Sequence, residues 1–196
     1  MRDENVLCIS TKLLKEQFGL IEEYWACNYD ALDSFPYSYV PRHQAETNAS
    51  YKQIIPYVLV FDGDAKVLHY QRCGSEKRLS GLFSAGIGGH VNDQDSGVSV
   101  YEKIVAGLKR EMKEELGLEV VEQQLQFLGM INEEKTEVGH CHLGVVFKVV
   151  LEDEQLSFES EISRPLWTES SKLDLSCFEL WSALAIKLEQ LESNVR

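Results

Sequence analysis

The stretch from Gly86 to Leu118, GIGGHVNDQDSGVSVYEKIVAGLKREMKEELGL, decides the fold. Its second half sets Arg110 and Glu111 ahead of Glu114, Glu115 and Gly117. At about 100° per residue, a helix gathers the three carboxylates into an arc of ~100°. Ile104, Val105, Leu108, Met112 and Leu116 occupy the neighbouring arc. The helix therefore buries one side and holds its acids at the edge of that side. Two carboxylates ~5 Å apart, at an effective dielectric of about 20, repel by roughly 3 kcal/mol. A divalent cation relieves that repulsion, and all-oxygen donors suit Mg²⁺ or Mn²⁺ rather than zinc or copper. Arg110 precedes Glu114 by one helical turn and is placed to hold its carboxylate. A solvated Glu/Lys-rich face also produces charge runs. The fixed spacing Arg-Glu-x-x-Glu-Glu-x-Gly separates this one from that reading.

The stretch resembles the Nudix box of the Nudix (MutT-like) hydrolases. That box runs Gly, five residues, Glu, seven residues, Arg-Glu-apolar-x-Glu-Glu-x-Gly-apolar. The second half matches throughout, with Met112 and Leu118 as the apolar positions, and Glu102 stands before Arg110 with seven residues between them. Ser96 stands before Glu102, with five residues between them, where the box has Gly, so Gly89 of Gly88-Gly89-His90 is taken as its counterpart. That choice places a seven-residue insertion before Glu102. The nearest branch in appearance is that of MutT-like phosphoesterases with the same Gly-Gly-His start.

At 196 residues the chain suits one domain with a proper core, and 44% hydrophobic with 26% charged residues is ordinary globular composition. A net charge of −13 argues against a nucleic-acid polymer as partner. A small phosphorylated substrate is compatible with it where a metal neutralises charge locally. No apolar run is long enough to span a membrane, and MRDENVLCIS has no signal-peptide core. Five cysteines without a CxxC favour reduced thiols, so a cytoplasmic location is expected.

Residues 1–50 read as an N-terminal extension packed on the core, with residues 51–196 as the Nudix domain. Val6 to Ile9 suit a short strand, and Ser10 or Thr11 caps a helix through Phe18, stopped by Gly19. Tyr24, Trp25, Tyr29, Phe35, Tyr37 and Tyr39 pack this arm down or stack on a substrate. Arg42 and Glu46 follow in a polar loop. Ile54 to Phe61 is a central strand, and Asp62-Gly63-Asp64 turns it into a second strand over 66–72. Arg72, Lys77 and Arg78 serve solubility or contact phosphate, with Arg78 the substrate-binding candidate.

Leu82 to His90 reads as a strand running into glycines. Gly88 and Gly89 allow a ligand close to the backbone, and His90 is a substrate-contact candidate. Asn92 to Gly97 reads as a polar, exposed loop. Ser99 and Glu102 have capping-box spacing, which competes with a supporting part for Glu102 near the metal. Gly107 leaves room for a metal's water shell, and Gly117 closes the helix. Gln124 to Ile131 is a strand and 132–138 a charged loop. Gly139 to Val150 is a strand that points His140 and His142 to one face. Residues 159–168 lead into a last helix capped by Ser176 and Glu179, with Phe178, Trp181, Leu184, Leu188 and Leu191 as its stripe.

The resemblance implies a Nudix-type α/β/α sandwich with a mixed sheet. It implies Mg²⁺ or Mn²⁺ held by Glu111, Glu114 and Glu115, with Arg110 orienting them, and hydrolysis of a diphosphate linkage in a nucleoside-diphosphate-like compound. It also implies a further glutamate that completes the metal site or acts as base, with Glu133, Glu134, Glu137 and Glu161 as candidates and Glu137 favoured. Two other readings stay open. One is a prenyl-diphosphate isomerase-like enzyme, which needs a suitably placed Cys and Glu. The other is a non-catalytic nucleotide sensor. A homodimer is compatible with all three.

Overall fold

The apolar run at 54–61 lies at the centre of the sheet because both of its faces are covered. The computed structural model describes residues 4–18, 23–72, 81–152, 156–158 and 162–195. Gly19, Lys77, Arg78 and Glu161 lie outside the described residues. Strand β4 (Tyr51–Phe61) sends Ile54, Val58 and Val60 into one hydrophobic cluster and Ile55, Tyr57, Leu59 and Phe61 into the other. That two-sided burial explains a near-continuous apolar run where a half-exposed strand would alternate.

Before β4 come β1 (Asn5–Ser10), α1 (Thr11–Phe18), β2 (Tyr24–Trp25), α2 (Asp30–Asp33), β3 (Tyr37–Pro41) and α3 (Arg42–Ala45). After it come β5 (Lys66–Arg72), β6 (Phe83–Ser84), β7 (Gly86–Gly88) and α4 (Val100–Leu116). The chain finishes with β8 (Leu125–Ile131), α5 (Glu137–Cys141), β9 (His142–Val150), β10 (Ile162–Glu169) and α6 (Leu180–Val195). The main path of the sheet is β10-β5-β4-β9-β8-β2. β4 and β9 run parallel from Gln53↔His142 to Phe61↔Val150, and their other neighbours are antiparallel. Helix α4 covers one face through Ile104, Leu108, Met112 and Leu116. Helix α6 covers the other through Trp181, Leu184, Ala185 and Leu188. This is the mixed-sheet α/β/α sandwich that the box implied.

Strands β1, β2 and β3 are built into the sheet. β1 pairs with β3 and also with the start of β4, so Cys8 lies opposite both Ser38 and Gln53. Val6, Leu7, Cys8 and Ile9 are all buried. β2 adds an edge beside β8.

Three segments differ from expectation. Residues 162–169 form a full strand against β5 rather than a plain lead-in. The expected strand over 139–150 begins only at His142, because Thr136 caps a short helix by accepting from the Gly139 amide at 3.0 Å. The last helix starts at Leu180, and its cap is Glu179, whose carboxylate accepts from the amides of Trp181 and Ser182 at 2.9 Å each. Leu191, expected in the buried stripe, is 49% exposed.

Helix α4 is closed at both ends. Ser99 Oγ accepts from the Glu102 amide at 3.1 Å while Glu102 Oε2 accepts from the Ser99 amide at 3.4 Å. Gly117 takes φ 67°, and the amides of Gly117 and Leu118 return to Lys113 and Met112. Ser99→Ala removes one half of the reciprocal cap. It is expected to lower the free energy of unfolding by about 1 kcal/mol, read from the urea midpoint at unchanged slope.

Candidate active site

The acidic face of α4 is organised by Arg110. Its Nε and Nη2 reach the two oxygens of Asp95 at 3.1 and 3.0 Å. Nη1 contacts Glu111 at 2.5 Å and Glu114 at 3.3 Å, and Nη2 also donates to the carbonyl of His90 at 2.7 Å. The fork of a guanidinium matches a carboxylate in this bidentate way. Asp95, with its side chain only 5% exposed, is the principal partner. Hydrogen bonding to Asp95 leads the effects that raise the Arg110 pKa, so its charge is permanent.

Asp95 was not among the expected site residues. The loop at 92–97 was read as exposed, yet it folds inward. Asn92 and Asp95 exchange bonds, the Asn92 amide donating to Asp95 Oδ2 at 2.9 Å and the Asp95 amide to the Asn92 carbonyl at 3.1 Å. The signal was present in the spacing. Counted forward from Gly89, five residues lead to Asp95, an acid where the box has Glu. Fourteen residues then separate Asp95 from Arg110 in place of seven. On that count the seven additional residues lie between Asp95 and Arg110. Glu102 is engaged at the helix cap, where Oε2 also accepts from the Val98 amide at 2.5 Å.

The glycines act by omission. A Cβ on Gly89 would land inside the Glu111 carboxylate. A Cβ on Gly88 would press the Pro56 carbonyl and the Tyr57 ring at 2.9 Å each. Gly107 makes room for Asp95 and Val91, at 3.0 and 3.2 Å from its virtual Cβ, and not for a metal's water shell. Glu111 is mostly buried, and burial raises its pKa against the pull of Arg110. Glu114 is 59% exposed and Glu115 half-buried. Among the described residues, no three His, Cys, Asp or Glu side chains already close around a point.

A second polar group faces this one across the Gly-Gly turn. His142 Nδ1 lies 2.7 Å from the Val138 carbonyl and therefore carries the proton. Its Nε2 is left as an acceptor, 3.3 Å from His90 Nε2, which donates. His140 turns outward to Glu134 at 2.9 Å, so the two histidines do not share a face. The buried Lys52 ion-pairs with Glu134 at 2.8 Å and donates to the Gly139 carbonyl. Burial raises the Glu134 pKa, but Lys52 and His140 outweigh it and bring it down. Glu133, read as part of a charged loop, is fully buried. It accepts from the amides of Lys135 and Thr136, from the Thr136 hydroxyl and from Trp181 Nε1. Glu137 is exposed in the first turn of α5.

An acidic helix gripped by an internal arginine, lying across a mixed sheet just after a Gly-Gly turn, defines a Nudix-type domain. The NUDIX domain family model matches residues 52–185. The chain belongs to the Nudix hydrolase family, whose members cleave pyrophosphate bonds in nucleoside diphosphate derivatives. It is similar to Tm1382, a candidate Nudix hydrolase of known structure, with 31% identity and a TM-score of 0.79 over 97% of this chain and 100% of that one. YmaB of Bacillus subtilis (strain 168) is 36% identical over 113 residues, which are 56% of this chain and 54% of YmaB. The chain thus matches about half the length of that curated relative. The NUDIX domain of Shewanella oneidensis NrtR, solved with ADP ribose, shares the fold at 15% identity and a TM-score of 0.52, over 74% of this chain and 89% of that one.

Removing Asp95 would leave the Arg110 guanidinium part-buried with its main partner gone. Asp95→Ala is expected to cost about 3 kcal/mol in chemical denaturation, several times the cost of the Ser99 substitution. The histidine pair gives a pH signature. Burial, reinforced by Arg42, His142 and Arg110, lowers the His90 pKa from 6.5 to about 3, and burial also lowers that of His142. Between those values the unfolded chain binds more protons than the folded one, so stability is full above pH 6.5 and falls toward pH 3. Glu111, with its raised pKa, contributes the opposite sign just above the ordinary carboxylate range. His90→Gln is expected to flatten the fall in unfolding free energy between about pH 6 and pH 4 by up to about 1.4 kcal/mol per pH unit, measured by urea titrations.

Proposed function

We propose that this chain is a divalent-cation-dependent hydrolase that cleaves a diphosphate linkage in a nucleoside-diphosphate-like small molecule. The observation that carries the reading is the grip of Arg110 on Asp95, Glu111 and Glu114, which keeps acids together on one helix face. The donor set fits Mg²⁺ or Mn²⁺: it is all oxygen, and the missing Cβ of Gly89 leaves space into which Glu111 turns. Glu111, Glu114 and Glu115 would hold the cation. Bound there, a divalent cation neutralises phosphate charge and lowers the pKa of a ligated water.

The other steps belong to the chain's own residues. Arg110 fixes the Glu111 carboxylate from one side, and the Gly88-Gly89 turn lets the backbone approach the substrate. Glu137, exposed at the start of α5, takes the proton from the attacking water. Glu133 is unsuited to that part because its oxygens are already occupied by donors. The hydrolase is favoured over the isomerase by the state of the three buried or half-buried thiols among the described residues. Burial pushes Cys8 up to about 12 and Cys27 up to about 11, and it also raises Cys141. Cys141 Sγ is turned toward the carbonyls of Glu137 and Val138. NrtR bound to ADP ribose makes a nucleoside diphosphate sugar a sensible member of a substrate panel.

Turnover is measured on dinucleoside polyphosphates, nucleotide sugars, ADP-ribose, NADH, CoA and nucleoside triphosphates, with Mg²⁺ and with EDTA. Metal-dependent release of phosphorylated products is expected. Glu114→Gln is expected to lower kcat by about 10³-fold, and Glu137→Gln by about 10²-fold with a flattened pH profile. An isomerised product, or turnover that is indifferent to EDTA and Glu114→Gln, would contradict the proposal. So would tight nucleotide binding without turnover across the panel, the outcome expected of a sensor.

A further inference from the structure

Asp95 reaches Arg110 from a loop, and a loop holds a carboxylate in place only as well as it is itself held. The inner side of 90–95 lies against α4. Its outer side lies against the N-terminal arm, which falls outside the residues matched by the family model. The Leu7 amide donates to the Val91 carbonyl at 2.8 Å, and the Asp93 amide donates to the Asn5 carbonyl at 3.2 Å. Asn5 Nδ2 donates to Asp93 Oδ2 at 2.9 Å, and Asn92 Nδ2 donates to Glu4 Oε1 at 3.3 Å. Glu4 is tied back in turn, because Oε2 accepts from Arg42 Nη1 at 3.2 Å and its carbonyl accepts from the Arg42 amide at 2.8 Å.

These bonds join the ones already described into a continuous path. It runs Arg42, Glu4, Asn92, Asp95, Arg110 and Glu111, with Asn5 and Asp93 as a parallel strut. The loop also presents the His90 carbonyl to Arg110, so a shift of the loop changes two of the guanidinium's contacts together. We infer that the N-terminal arm is a positioning element of the active site, in which Glu4 and Asn5 act through the Asn92–Asp95 loop to set Arg110 and hence Glu111. The inference rests on the hydrolase reading for its consequence in catalysis, and on the hydrogen-bond path alone for its consequence at Arg110.

Glu4 and Asn5 contact neither Arg110 nor the α4 carboxylates, so they are positioning residues and not catalytic ones. Isolated surface contacts of this kind add little to stability, which allows their effect on the site to be separated from unfolding. Outer partners of this sort typically change activity by 10–100-fold when removed.

The test uses the full chain carrying Glu4→Ala together with Asn5→Ala. Hydrogen exchange of the Arg110 Nε–H is followed by NMR, beside kcat and KM on the best panel substrate. The expected result is a melting temperature within about 4 °C of wild type. Arg110 Nε–H exchange rises about ten-fold and kcat falls about ten-fold, while KM moves less than about two-fold. Glu4→Gln, which keeps an acceptor for Asn92, stays within about two-fold of wild type. Unchanged exchange overturns the inference, whatever happens to kcat. So does faster exchange with wild-type kcat, because the arm would then not act on the reaction. A wild type that turns over nothing in the panel defeats the hydrolase reading instead. In that case the exchange rate still decides whether the arm sets Arg110. If the double variant does not fold, Asn5→Ala alone removes only the amide to Asp93 and is judged by the same two readouts.

Discussion

The site depends on one guanidinium satisfied on all sides. Acids one turn apart on a helix repel, and the repulsion grows as the protein around them excludes water. Arg110 offsets that repulsion from within the helix itself, by spanning Glu111 and Glu114. A part-buried arginine on an exposed helix face would itself wander without a fixed partner. The buried carboxylate of Asp95 supplies one in a bidentate geometry that a longer or more mobile acid would not hold as tightly. The helix can then carry an acid cluster without unwinding.

The sandwich exists to hold that helix still. β4 buries both faces and draws the sheet together with β9, and α4 lies across one face with its apolar stripe in the core. The Gly88-Gly89 turn follows directly from β7, which is paired with β4, so the turn inherits the rigidity of the sheet centre. On the far side of the turn, His142 opens β9 opposite Gln53 and bonds His90. The loop carrying Glu137 is fixed from below by the buried Glu133 and from the side by Lys52. The Gly-Gly turn is thus held beside α4 by the sheet and by His142.

What was legible in the sequence was what repeats or what packs. Helix α4 could be read because its apolar positions recur at the helical period, and its caps were visible as Ser99, Glu102 and Gly117. β4 could be read because two-sided burial writes itself as an unbroken apolar run. The Asp95 grip was obscured because counting back from Arg110 meets Glu102 at the expected distance, and that coincidence hid the longer path from Gly89. The short helix α5 was illegible because Glu133 looks like a solvent charge. Only the fold shows that its oxygens hold the amides that turn the chain. His140 and His142 alternate correctly for a strand, but the strand begins two residues too late for the first of them. Asp95 answers to an arginine fifteen residues on, whereas α5 is set by the side chains of Glu133 and Thr136 close by.

The charges around α4 also bear on the need for a cation. Arg110 is committed to Asp95, Glu111 and Glu114; Lys52 to Glu134; and Arg42 to Glu4 and Glu46. His90 and His142 are held neutral by burial, so they lend hydrogen bonds but no positive charge. These neighbouring cationic side chains are therefore already balanced by a carboxylate, in a chain of net charge −13. A diphosphate brought to such a site would meet these three cations, Arg42, Lys52 and Arg110, already engaged. On the proposed reading, a divalent cation held by Glu111, Glu114 and Glu115 would supply free positive charge. On that reading the excess negative charge on the helix would retain the cation, and the cation would let the acidic face accept an anionic substrate.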